Sequence, residues 1–108
     1  MQTPQIRDKF SNIEKCVDNA ARACQQSAAV PEQLRSCINE LESQSYQARQ
    51  ILQDDQSEDQ LRQCVDRMEE LGDKAMRECR TSANLDQPVS EAIRQTHDAI
   101  SDLKHTLH

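Results

Sequence analysis

The sequence predicts an all-α protein, an antiparallel up-down four-helix bundle formed by one domain over 1–108. Three observations predict it. Apolar residues recur at alternating steps of four and three through successive polar segments, the spacing of a helical seam. Aromatic residues make up only 2% of the chain, Phe10 and Tyr46, too few for a sandwich or barrel of strands. One glycine and three prolines suit long helices joined by few turns. Low hydrophobic content, 35%, and a net charge of −6 also mark disordered chains, and the periodicity decides against that reading. The alternative architectures are a three-helix bundle or a dimer of helical hairpins.

Helices are expected over 4–27, 31–53, 57–82 and 87–107. The first carries Ile6, Phe10, Ile13, Val17, Ala20 and Cys24 on its seam, with Pro4 in the first turn, where a missing N–H does no harm. Pro31 disfavours helix at Val30 and so separates the second segment, whose seam is Leu34, Ile38, Leu41, Ser45, Ala48 and Leu52. The stretch from Gln53 to Gln60 has no apolar residue, and the seam resumes in a shifted phase as Leu61, Val65, Met68, Gly72, Ala75 and Cys79. A continuous helix would keep phase, so a turn is expected near Asp54–Gln56, with Ser57 and Gln60 as a capping box. After a break over Thr81–Pro88 the fourth helix carries Val89, Ile93, Thr96, Ile100, Leu103 and Leu107.

A repeated motif ties the segments together. Cys, a β-branched residue and Asp or Asn recur as Cys16-Val17-Asp18, Cys37-Ile38-Asn39 and Cys64-Val65-Asp66, with Ala92-Ile93 at the matching place of the last segment. Small residues (Ala20, Ser45, Ala48, Gly72, Ala75 and Thr96) fall on the seams near mid-height. Glycine within a helix costs about 0.5–1 kcal/mol relative to alanine, so Gly72 points to close helix approach.

Composition narrows the function classes. The acidic balance and the lack of a Lys/Arg stripe argue against nucleic acid and against anionic membranes. No segment has the length of a membrane span, and the first residues lack the apolar core of a signal peptide. The expected location is cytoplasmic, or periplasmic or secreted if a leader was removed. Five cysteines, an odd number, suit reduced thiols better than a closed disulfide framework. A phosphate-binding glycine loop is missing, and no Glu-x-x-His pair suggests a di-iron site. The carboxylates read as surface partners of basic residues at i,i+4, as in Glu70 with Lys74 and Asp73 with Arg77.

Two functions remain. The first is a non-enzymatic protein-interaction or adaptor module, with a protein partner or a second copy and no cofactor. Its apolar anchors would be Tyr46, Ile51, Leu71 and Met76, which flank the seams of the second and third helices and would otherwise widen the core. On that reading, glutamate at Leu71 and Met76 abolishes association and spares helicity. The second is a thiol-based metal-binding or redox protein. The bundle topology brings Cys24, Cys37 and Cys79 toward one end, where thiolates would take zinc or copper and Cys24 with Cys37 would form the redox pair. Buried cysteines acting as small apolar residues are the simpler account.

Overall fold

The computed structural model describes residues 4–27, 30–54, 58–81 and 85–107. It is a four-helix bundle of α1 (Pro4–Gln26), α2 (Glu32–Gln53), α3 (Glu58–Thr81) and α4 (Gln87–Leu107), with no strand among the described residues. Each helix packs on its chain neighbour, and α4 closes the ring against α1, whereas α1–α3 and α2–α4 lie across the diagonals. Successive helices are antiparallel. Arg67 of α3 reaches back to Glu40 of α2 while Cys64 reaches Gln44, and on α4 Lys104 meets Glu69 while His97 meets Asp73. The long dimension is 43 Å against 21 and 19 Å across, as expected for helices of this length at about 1.5 Å per residue.

The seams fold as their spacing dictates. Every seam residue named above is buried except Cys79, which is half-buried. The stripe is wider than the seam, since Ala21, Cys37, Cys64, Leu71 and Ala99 are buried beside it. Two of the three repeated cysteines, Cys37 and Cys64, are therefore part of the core, and Cys16 packs against it. A wide apolar stripe is what a helix needs when it touches two neighbours rather than one.

The helix ends follow local chemistry. Pro31 caps α2 in an extended conformation (φ −61°, ψ 148°), and its carbonyl accepts the Arg35 N–H at 3.1 Å. The Asp54 N–H closes α2 on the Gln50 carbonyl at 2.9 Å. The expected capping residue Ser57, the rest of the turn at Asp55 and Gln56, and the third helix's expected end at Ser82 lie outside the described residues. At the start of α4 the Asp86 carbonyl accepts from the N–H groups of Val89 and Ser90. The Asp86 carboxylate accepts from Ser27 Oγ at 2.7 Å, which ties the end of α1 to the start of α4.

Small residues at mid-height let the helices close in. Ala20, Ala48 and Ala75 have no exposed surface, and the buried Thr96 hydroxyl donates to its own helix at the Ala92 carbonyl, 2.8 Å away. A Cβ on Gly72 would stand 3.4 Å from His97 Cδ2 and 3.8 Å from Ile100 Cδ1, so the α3–α4 contact has room for one methyl group. Gly72→Ala is expected to raise stability by about 0.5–1 kcal/mol through backbone entropy, and Gly72→Leu to lower it. Urea midpoints of the two variants check this, and a lower midpoint for the alanine would mean that His97 cannot give way.

Candidate functional site

The three cysteines singled out by sequence lie toward one end of the bundle: Cys24 in the last turn of α1, Cys79 in the last turn of α3, and Cys37 two turns into α2. All five thiols are free. Cys24 and Cys79 face one another across the α1–α3 diagonal closely enough for a charge on one to disfavour ionising the other. Burial acts more strongly still, and together they push the Cys79 thiol up to about 11. Cys37 faces α3 instead. Burial raises it, while Lys74 and Arg77 pull it down and Glu40 and Glu78 push it up.

Cys24 thus has the Cys79 thiol within electrostatic reach, while Cys37, its expected partner, is set chiefly among charges of α3. No Cα of α1 comes within 8 Å of one in α3, so a Cys24–Cys79 disulfide would require the backbone to move. Burial also raises the thiols of Cys16, Cys24 and Cys64, the last of which donates to the Gln44 carbonyl at 3.2 Å. Metal ligation and nucleophilic attack need the thiolate, which this environment disfavours. Among the described residues no three His, Cys, Asp or Glu side chains gather to hold a metal ion.

The expected apolar strip does not form one surface. Leu71 is buried at 4% exposure and belongs to the core. Met76 is half-buried and turns to the α3–α4 cleft with Asp73, Arg77, Arg80 and His97. Tyr46 lies on the α1–α2 side, and Ile51 is half-buried against the core. The α2–α3 contact falls between these positions, so residues that flank adjacent seams in sequence end on different faces.

Two clefts run along the α1–α2 seam and share Glu42. The upper, about 470 Å³, is lined by Val17, Ser45 and Tyr46 among Glu14, Lys15, Asp18 and Arg49. The lower, about 190 Å³, lies between Cys24 and Arg35. Arg49 crosses the upper cleft to pair with Glu14. Tyr46 stands at its lip with 67% of its surface exposed, the one large hydrophobic side chain so placed among the described residues. Its lone aromatic ring was legible in the sequence; the groove beside it was not, because nothing in the seam spacing says how far α1 and α2 separate.

No protein-family model, curated protein or solved structure matches this chain. The site therefore rests on its own geometry. No described helix is long and apolar enough to cross a membrane.

The surface pairs also differ from the i,i+4 expectation. Glu70 pairs with Arg67 rather than Lys74. Asp73 turns from Arg77 to α4, where its Oδ1 lies 2.6 Å from His97 Nε2. The His97 ring lies over Gly72, where a longer side chain would take its place, and from there it reaches the next residue of α3. On the same interface Lys104 donates to Glu69 at 2.6 Å with Asp66 nearby, and the Glu69 hydrogen bond holds the Lys104 ammonium above its ordinary range.

Proposed function

We propose that this chain is a non-enzymatic protein-interaction module that docks through the α1–α2 groove, and that the occupant is a second copy. The exposed Tyr46 ring at the lip of that groove carries the reading. A tyrosine offers a large apolar face and a polar tip, which is why such rings anchor interfaces. The charges around it favour self-recognition. A two-fold interface presents one patch to itself and therefore needs both signs within that patch. Glu14, Asp18 and Glu42 supply one sign, Lys15 and Arg49 the other. Docking a tyrosine into the partner's groove would bury Val17 and Ser45 further and leave these charges as a rim.

The acidic balance of the chain supports a protein partner over nucleic acid or an anionic membrane. The free thiols suit a reducing compartment, and the cytoplasm is the proposed location. A thiol-based metal or redox function has less support, because Cys24 and Cys79 approach one another while Cys37 faces α3.

Sedimentation velocity across a concentration series tests the reading. The natural chain is expected to show a monomer–dimer equilibrium. Tyr46→Glu is expected to remain monomeric with helicity and thermal midpoint unchanged, since the ring contributes little to the core. A natural chain that stays monomeric at every concentration, or a Tyr46→Glu chain that still dimerises, ends it.

A further inference from the structure

We infer that the cleft between α3 and α4 is a binding site for a phosphate-type dianion. It measures about 270 Å³ and is lined by Asp73, Met76, Arg77, Arg80 and His97. The inference starts from the broken surface pairs. Asp73 is engaged by His97 and Glu70 by Arg67, so the carboxylates expected to neutralise Arg77 and Lys74 are used elsewhere. Lys74, Arg77 and Arg80 of α3 make no ion pair with a described carboxylate, and neither does Arg94, one turn before His97 on α4. Of these cations Arg77 and Arg80 line the cleft itself, on a chain whose net charge is −6, whereas Lys74 lines the neighbouring α2–α3 cleft with Glu40, Arg67 and Glu70.

A helix dipole favours a cation in the last turn and accounts for Arg80, but the effect fades within that turn and leaves Arg77 and Arg94 unexplained. The cleft also has a floor. Met76 is half-buried, and Gly72 brings the α4 backbone close behind His97.

The donor set selects the ligand class. One guanidinium fork already satisfies a carboxylate, whereas the two forks of Arg77 and Arg80 match the several oxygens and double charge of a phosphate. Asp73 is the one carboxylate in the lining, and its Oδ1 is taken by His97 Nε2 at 2.6 Å. The cluster is local and lacks the extended stripe that a nucleic-acid backbone requires. It also lies on the α3–α4 side, apart from the α1–α2 groove, so it stands or falls independently of the docking proposal.

The test is an amide chemical-shift titration of the whole chain with inorganic phosphate and, separately, with O-phosphoserine, at ionic strength held constant with sodium chloride. Saturable shifts are expected at residues 73–80 and 93–97 with at least one of the two probes. Comparing them tells free phosphate from a phosphomonoester. Arg77→Gln with Arg80→Gln should weaken binding about tenfold or more. Arg7→Gln with Arg22→Gln, which removes the same charge from α1, should leave it unchanged. Shifts that never saturate with either probe, or that spread over all four helices, overturn the site. So does equal weakening by the two double variants, which would make the effect one of overall charge.

Discussion

Leu71→Glu is expected to destabilise the bundle strongly. Leu71 is 4% exposed and packs in the continuous core. The substitution removes a buried apolar side chain and places a carboxylate at the edge of the core, where only the neighbouring Arg67, Lys74 and Arg77 of the α2–α3 cleft could meet it. Truncation alone, as Leu71→Ala, costs about 2–5 kcal/mol. Against a total stability of about 5–15 kcal/mol for a domain of this size, that loss is a large fraction even before the carboxylate is desolvated. Circular dichroism at 222 nm and a urea titration check it, with Tyr46→Glu as the exposed reference. A Leu71→Glu chain with the natural midpoint would place Leu71 at the surface and restore the apolar strip as one docking face. This reverses the expectation from sequence, where glutamate at Leu71 spared helicity. The seam spacing shows that Leu71 flanks the core stripe, and only the packing of α3 against its neighbours shows how wide that stripe is.

The fold is expected to weaken steeply at alkaline pH, with Cys79 responsible for a definable share. Its thiol is pushed up to about 11 from an ordinary 9.0, chiefly by burial. Below pH 9.0 the thiol is protonated in both states and the term is fully favourable. Between there and about 11 the unfolded chain releases a proton that the folded chain keeps, so stability falls as pH rises and levels off above that window. A shift of this size is on the order of 2 kcal/mol for a half-buried group. Cys16, Cys24, Cys37 and Cys64 are raised as well and add in the same direction. Lys104, raised by its hydrogen bond to Glu69, loses its favourable contribution as pH climbs through its own range. Urea midpoints at about pH 8 and about pH 11 for the natural chain and for Cys79→Ala separate the parts. The alanine chain should lose less stability between the two pH values, whatever its midpoint at the lower one. Equal losses would mean that Cys79 ionises in the fold as freely as in the unfolded chain.

The sequence by itself determined the four helices, their seams and their breaks. Steps of three and four put Ile13, Leu41, Met68 and Ile100 on single faces, and Pro31 could only interrupt or begin a helix, because these are local properties of the backbone and of side-chain spacing. It also flagged Gly72 as a point of close approach and Tyr46 as a rare aromatic outside the seam. Relations between helices were decided by the tertiary structure. Which thiols come near one another depends on the diagonal of the ring, which brings Cys79 within electrostatic reach of Cys24. Which carboxylate takes which cation depends on α4 lying against Gly72, where an imidazole across the interface displaces an arginine one turn along the same helix. An i,i+4 pair on an exposed helix is worth a few tenths of a kcal/mol, so a neighbouring helix readily overrides it. The cation released by that exchange, Arg77, lines the α3–α4 cleft beside Arg80.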